Sequence, residues 1–512
     1  MLNFVIFALN KTKVPMTSSK RLKILFVTSE LFPFMKTGGL ADVSAALPQM
    51  LTELGHEVRI LVPKYGAIDS RKYKIHEVVR LKDITVKIGE KDVVFSLRSS
   101  FLPSQRVRVQ IYFLDNQEYF GSRKSLYTDP ISGADYKDND ERFILMAKSV
   151  FQLITLLGWV PDIIHSNDWQ CGLIPAYHKN VYANEAPFDS IKSIFTIHNL
   201  AYQGIFPAST FDKTELPKTM ANDKHSLLDG KFNFLKNGIQ YADYLTTVSE
   251  GYAKEIVTKK EVSLDLQPCL AKRKSTLQGI VNGIDTTVWN PQTDKFIPHK
   301  YSFETIAKKL DDKKILVERF GLQFDETRPV IGIISRLNDV KGIDLVIESF
   351  EELMKMDIQL VLLGTGDKKY QTAFEKLTKK HAGKFASYLG FNDDLAHLIE
   401  AGSDMLLMPS KFEPCGLNQM YSLVYGTIPI VRETGGLADT VLGFDEKTGE
   451  GNGFVFQKYE SAAMLKEIKR AVKLFQETKS WQKIIKNGMK SDFSWKSSAK
   501  KYIELYKTVL SI

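Results

Sequence analysis

The 512-residue sequence predicts an α/β protein built from two doubly wound parallel sheets. Three observations carry this. Short apolar runs alternate with longer amphipathic segments along almost the whole chain. The runs are continuous rather than alternating, which is the pattern of strands buried on both faces. The series also starts twice, at Lys23 and again at Arg328-Pro329-Val330, beyond the charged stretch Lys308–Lys314.

Residues 1–20 contain no acidic side chain and one short apolar stretch, Leu2–Leu9, and are expected to form a disordered extension. A targeting signal is the alternative, but the apolar run is short and no small-residue cleavage site follows it. Met16, just before the first strand, is a candidate start. Candidate strands follow at Ile24–Thr28, Arg59–Val62, Val107–Phe113, Ile163–His165, Ile194–Ile197 and Tyr244–Val248. The second series is Val330–Ile334, Leu360–Leu363, Met405–Met408 and Ile428–Val431. Between the first two strands, Leu40, Val43, Leu47, Leu51 and Leu54 recur at spacings of three and four, one face of a helix, and Gly55 is its stop. Gln278–Pro291, punctuated by Gly279, Gly283 and Pro291, is the expected hinge. Ser497–Leu510 reads as one helix carrying Tyr502, Leu505, Tyr506 and Val509. The expected division is therefore 21–280, 281–492 and a terminal helical segment 493–512.

Composition narrows the function classes. With 44% hydrophobic and 25% charged residues the chain is neither disordered nor fibrous. No apolar run approaches the ~20 residues of a membrane helix, so no membrane partner is expected. Lys plus Arg exceed Asp plus Glu by 69 to 60, a net charge of +9. The basic residues are scattered, and the densest clusters (Lys272-Arg273-Lys274, Lys308-Lys309, Lys313-Lys314) are short and partly offset by Asp311 and Asp312. They read as solvated faces, so no nucleic-acid partner is expected. Cys171, Cys269 and Cys415 lie far apart without a CxxC pair, which suggests a reducing cytoplasm and argues against a disulfide framework or a zinc site.

Candidate chemistry gathers just past the strands. Lys36-Thr37-Gly38-Gly39-Leu40-Ala41-Asp42-Val43 opens the first helix. Gly38 and Gly39 let backbone N–H groups approach an anion, and Lys36 adds a mobile charge suited to phosphate. A turn with an incidental lysine is the alternative. Ser335-Arg336-Leu337-Asn338-Asp339-Val340-Lys341-Gly342 follows the first strand of the second series, where Arg336 and Lys341 could clamp a diphosphate. Leu363-Gly364-Thr365-Gly366-Asp367 lacks the third glycine of a dinucleotide fingerprint and supports a nucleotide site only in company. In Phe412-Glu413-Pro414-Cys415-Gly416-Leu417-Asn418-Gln419 a carboxylate stands at a strand-to-helix turn, able to accept sugar hydroxyls while the new helix offers N–H groups to phosphate. Cys415 has no strong base near it in sequence and reads as a packed small residue. Gly435-Gly436-Leu437-Ala438-Asp439 echoes the order Gly39-Leu40-Ala41-Asp42. His165 and His198 end neighbouring strands, with Asp168 and Trp169 beside the first, and suggest a polar crevice. As metal ligands they are weak candidates, lacking His-x-His or HExxH spacing. Asp138-Asn139-Asp140 matches a DxD pattern, but aspartates in a helix's first turn are expected as caps.

Together the segments KTGGLADV (36–43), DIIHSNDW (162–169), FTIHNLAYQG (195–204), VNGID (281–285), SRLNDVKG (335–342), LLGTGD (362–367) and FEPCGLNQMYSLVYGTIPIVRETGGLADTV (412–441) resemble bacterial glycogen synthases and plant starch synthases. The resemblance runs from about Lys23 to the C-terminus. It implies the GT-B fold, with two Rossmann-like domains facing a deep cleft and the C-terminal helix crossing back to the first domain. It implies transfer of glucose from ADP-glucose to the non-reducing end of an α-1,4-glucan, with retention and without metal or other cofactor. By matching position, Lys36, Gly38, Gly39 and Asp42 would form the N-terminal loop facing the sugar nucleotide, and Arg336 and Lys341 would neutralise the leaving diphosphate. Glu413 would hold glucose hydroxyls, with Cys415, Gly416 and Leu417 supplying backbone contacts. His198 would lie over the sugar, Asp168 and Asn282 would contact glucose, Gly366 would line the donor site, and Phe391 would stack on adenine. The sequence departs from the family at Asn167, where His is common, and at Phe391, where Tyr is common. A GT-B glucosyltransferase using UDP-glucose or another sugar acceptor is the alternative, and no residue read from chemistry alone separates ADP from UDP.

Overall fold

The computed structural model describes residues 20–104 and 106–511; the expected N-terminal extension lies, but for Lys20, outside the described residues. Ile24, Leu25, Phe26 and Val27 are all fully buried in the strand Lys23–Val27, so both faces of that strand are covered, as a doubly wound sheet demands. It pairs in parallel with Glu57–Pro63 on one side and Ile163–Asn167 on the other. In spatial order the sheet runs Leu277–Gly279, Tyr244–Thr247, Lys192–Ile197, Ile163–Asn167, Lys23–Val27, Glu57–Pro63, Gln110–Asp115, Lys91–Phe101, His76–Glu77. The chain begins in the middle and reverses direction of travel between Lys23–Val27 and Ile163–Asn167. The ends of those two strands therefore flank a crevice, the usual ligand position of such sheets.

This first sheet is not parallel throughout. Lys91–Phe101 runs antiparallel to both Gln110–Asp115 and Ile84–Ile88. In Ile84–Ile88 the isoleucines and Val86 are buried while Thr85 and Lys87 are exposed. That alternation marks a strand with one solvated face, which a search for continuous apolar runs passes over.

The second sheet has the order Phe385–Leu389, Gln359–Gly366, Val330–Leu337, Met405–Met408, Ile428–Arg432, Phe454–Phe456, parallel at every pair. Its reversal lies between Val330–Leu337 and Met405–Met408. Every predicted strand overlaps an observed one. The helix Gly39–Glu53 buries Leu40, Val43, Leu47 and Leu51, and Gly55 just past its end has φ +96°, a left-handed conformation that favours glycine. No helix among the described residues is long and apolar enough to cross a membrane.

The terminal helix Trp495–Leu510 buries Tyr502, Leu505, Tyr506 and Val509 in the core of the first sheet, not the second. Its anchor is polar. Tyr506 Oη lies 2.8 Å from His165 Nδ1, and His165 Nε2 lies 2.6 Å from Thr196 Oγ1. Burial pushes the imidazole down to about 3, so it is neutral. His165 is thus a structural residue, and its candidacy as a metal ligand falls; no group of three or more His, Cys, Asp or Glu among the described residues could hold a metal. Tyr506→Phe leaves a buried ring nitrogen without its partner. The expected cost is about 1–3 kcal/mol, read as a lower unfolding midpoint with unchanged activity per folded molecule; an unchanged midpoint would contradict this anchor.

Candidate active site

At the first crevice the strand Lys23–Val27 leads into Thr28-Ser29-Glu30, and the turn 36–39 folds back over Glu30. The Glu30 carboxylate accepts from Thr37 N at 2.7 Å, Gly38 N at 3.2 Å and Thr37 Oγ1 at 2.5 Å, and from Tyr127 Oη at 2.9 Å. Sequence reasoning missed this residue. It offered the Gly38-Gly39 turn to an external anion, yet Gly38 N, with Thr37 N just before it, already points at an internal one. The available signal was a single carboxylate just past the first strand. Beyond the turn, a Cβ on Gly38 or Gly39 would meet nothing within 4 Å, so both border open space. Lys36 Nζ sits 2.7 Å from Asp42 Oδ2. Burial raises the Asp42 carboxyl against the pull of Lys36, and Asp393 from the second sheet's side adds to the rise.

The strand Ile163–Asn167 delivers Asp168 to the same crevice with φ +58° and ψ 179°, a region costly for any residue with a Cβ. Its Oδ1 accepts from His198 N at 2.8 Å and Asn199 N at 3.4 Å. His198 Nε2 lies 3.0 Å from Asn167 Oδ1, while Asn167 Nδ2 donates to Val27 O at 3.0 Å. The second bond makes Oδ1 the acceptor and puts the His198 proton on Nε2. Burial pushes His198 down to about 3. It is a neutral imidazole held by Asn167. Asp138-Asn139-Asp140 lies elsewhere and begins the helix Asn139–Leu157. The expected side-chain cap is absent: Asp138 pairs with Arg123 at 2.5 Å, and Asp140 accepts from Thr210 and Lys213, each at 2.8 Å.

At the second crevice a pocket is lined by Ser335, Lys341, Pro409, Glu413, Gly416 and Asn418 among others. Lys341 Nζ lies 2.5 Å from Glu413 Oε2, and Ser410 Oγ donates to the same oxygen at 3.1 Å. Arg336 is exposed and forms no ion pair or side-chain hydrogen bond among the described residues. Gly416 has φ +73° and starts the turn into Leu417 and the helix Asn418–Val424. Burial pushes Cys415 up to about 12, so it is a packed thiol and not a nucleophile. Asn282, on the connection between the sheets, has a buried Oδ1 without a partner among the described residues. Gly366 pairs with Leu337, and a Cβ there would stand 2.4 Å from Leu337 O; close strand packing accounts for this glycine without a ligand. Phe391 is 85% exposed at the same edge, just past Gly390, whose N–H bonds Gly364 O.

Burial raises Asp168 to about 7 despite its two backbone donors. The folded state thus keeps a proton that the unfolded chain releases near pH 4. This contribution stabilises the fold at acid pH and is lost as pH rises toward 7. Asp168→Asn should therefore unfold at a temperature that, relative to the parent, is several degrees more favourable at pH 8 than at pH 5. A pH-independent difference would contradict the raised carboxyl.

Comparison with known proteins agrees with this geometry. The family described as "Starch synthase catalytic domain" matches residues 23–272, and "Glycosyl transferases group 1" matches residues 315–491. The glycogen synthase of Desulforudis audaxviator is 43% identical over 500 residues, covering 96% of this chain and 97% of that protein. The glycogen synthase of Thermosipho africanus is 42% identical over 493 residues, covering 96% and 99%. Among solved structures, the catalytic domain of starch synthase IV from Arabidopsis thaliana, bound to ADP and acarbose, superposes with a TM-score of 0.84 at 31% identity, covering 96% of this chain and all (100%) of that one. The two sheets and their facing crevices are the GT-B fold, and the chain belongs to the glycogen and starch synthase family of glycosyltransferases.

Proposed function

We propose that this glycosyltransferase moves glucose from ADP-glucose to the non-reducing end of an α-1,4-glucan, with retention at the transferred carbon, without a metal, and in the cytoplasm. The observation that carries the reading is the Lys341–Glu413 pair at the second crevice, with Arg336, which forms no ion pair among the described residues, near the end of the strand Val330–Leu337. A departing diphosphate gains charge as the sugar becomes oxocarbenium-like, and fixed cations aimed at that charge are the largest stabilising contribution available. Arg336 supplies one cation. Lys341 supplies the second by exchanging part of its bond to Glu413 for phosphate, which leaves Glu413 oxygens to accept sugar hydroxyls. His198, neutral and with its Nε2–H held by Asn167, contributes the Nδ1 lone pair toward the sugar and no charge. Asp168 is set rigidly by its unusual backbone and two N–H donors. Phe391 offers an exposed ring face for adenine. The acceptor is neutral, so the excess of basic residues is not part of its binding. The three cysteines are free thiols, in keeping with a reducing compartment.

Purified protein with glycogen should extend the glucan from ADP-glucose far faster than from UDP-glucose, at a rate unaltered by EDTA. Nucleotide release without chain growth, or equal use of both donors, would overturn the assignment. Lys341→Ala and Glu413→Ala should each lower kcat about 10²–10³-fold, with the unfolding midpoint close to that of the parent. A loss below about tenfold in either would remove that residue from the transfer step.

A further inference from the structure

The Gly435-Gly436-Leu437-Ala438-Asp439 segment echoes the first-domain glycine turn, but it does a different job. It forms the helix Gly435–Thr440, which packs on the helix Glu250–Thr258 beyond the strand Tyr244–Thr247 of the first sheet. The two helices exchange carboxylates. Glu255 accepts from Thr434 Oγ1 at 3.1 Å and from Gly435 N at 3.1 Å. In the opposite direction, Asp439 accepts from Gly251 N at 2.8 Å and 3.0 Å through its two oxygens. Ser249 Oγ, at the start of the same first-sheet helix, donates to Pro414 O at 2.6 Å.

These bonds lead to the sugar-gripping loop. Gly436 N donates to Glu413 O at 3.1 Å. A Cβ on Gly435 would stand 2.1 Å from Glu413 O, and one on Gly436 would stand 2.2 Å from Cys415 O, so the two backbones touch and neither moves alone. Thr434 makes no cap bond within its own helix. The carboxylate that satisfies this turn comes from the other domain and is itself buried. Removing it leaves a buried hydroxyl and a buried N–H without an acceptor directly against Glu413.

We infer that Glu255 is a positioning residue for glucosyl transfer: from the first domain it fixes the turn Thr434-Gly435-Gly436, and through that turn the backbone of Glu413. The inference rests on the proposed function for its kinetic readout and on the bond network alone for its structural one. Asp439 provides the internal control, because it spans the same joint with the same kind of bond but makes no hydrogen bond to residues 412–417 among the described residues.

Steady-state kinetics with ADP-glucose and glycogen and amide hydrogen exchange of residues 412–417 should be measured for Glu255→Ala, Glu255→Gln, Thr434→Val and Asp439→Ala. Misplacing a catalytic group by an ångström costs up to about a hundredfold, so Glu255→Ala should lower kcat at least about tenfold, with KM for glycogen within about twofold. Glu255→Gln keeps an acceptor oxygen and should recover most of the rate. Thr434→Val, which removes only the hydroxyl, should lose less than the alanine variant but in the same direction. Asp439→Ala should unfold at lower temperature with kcat near that of the parent. Exchange at 412–417 should speed up in Glu255→Ala and not in Asp439→Ala, with no donor present. Equal kinetic losses in Glu255→Ala and Asp439→Ala, or unchanged rate and exchange in Glu255→Ala, would overturn the inference. A parent protein inactive with ADP-glucose that still shows the exchange contrast would refute the proposed function and leave the positioning role standing.

Discussion

A parallel sheet delivers the end of every strand to one edge, and in this protein both sheets turn that edge toward a common cleft. The rest follows from that constraint. Glu30, Asp168 and His198 follow three strands of the first sheet; in the second, Arg336 lies on the strand Val330–Leu337 and Lys341, Phe391 and Glu413 lie on connections that follow strands. Asp393, on the second sheet's side, adds to the rise of the Asp42 carboxyl, so the two edges come near each other. Neither sheet carries all of the candidate residues, so their arrangement depends on how the two units are joined.

Charge within the cleft is largely paired in advance. Lys36 leans on Asp42, Lys341 on Glu413, and the glycine turn's first N–H groups on Glu30. Pairing keeps half-buried charges tolerable while the cleft is empty. An anion entering there would meet groups that already hold partners, whereas Arg336 forms no ion pair or side-chain hydrogen bond among the described residues. The neutral groups follow the same economy of charge: burial holds His198 unprotonated and Cys415 protonated.

The central parallel strands were legible because buried parallel strands write themselves as unbroken apolar runs. The glycine turn, the Arg336–Lys341 loop and the Glu413 segment were legible because each follows such a run directly. Contacts made across long stretches of chain were not. Lys341 and Glu413 could be named separately, but their ion pair spans 72 residues and has no local signature. Glu30 looked like one more charged loop residue until the turn seven residues on folded over it. Asp138 and Asp140 fitted helix capping in sequence; Arg123 claims Asp138, and Asp140 accepts from Glu141 N with one oxygen while Thr210 and Lys213 share the other. Gly366 matched a nucleotide-loop pattern, and a neighbouring strand's carbonyl explains it as well. Sequence reading named residue types at strand ends reliably, whereas partners depended on the closed three-dimensional path.

The terminal helix closes that path in time as well as in space. Tyr502, Leu505, Tyr506 and Val509 are core residues of the first sheet, yet they leave the ribosome long after that sheet's last strand, Leu277–Gly279. The N-terminal unit therefore cannot finish its core until the whole second domain has been made, although domains ordinarily fold in order as they emerge. His165 and the apolar surface around it wait, uncovered, until that helix arrives. A stop codon before residue 495 would thus damage the first domain, hundreds of residues upstream, more than the second domain at whose end it falls.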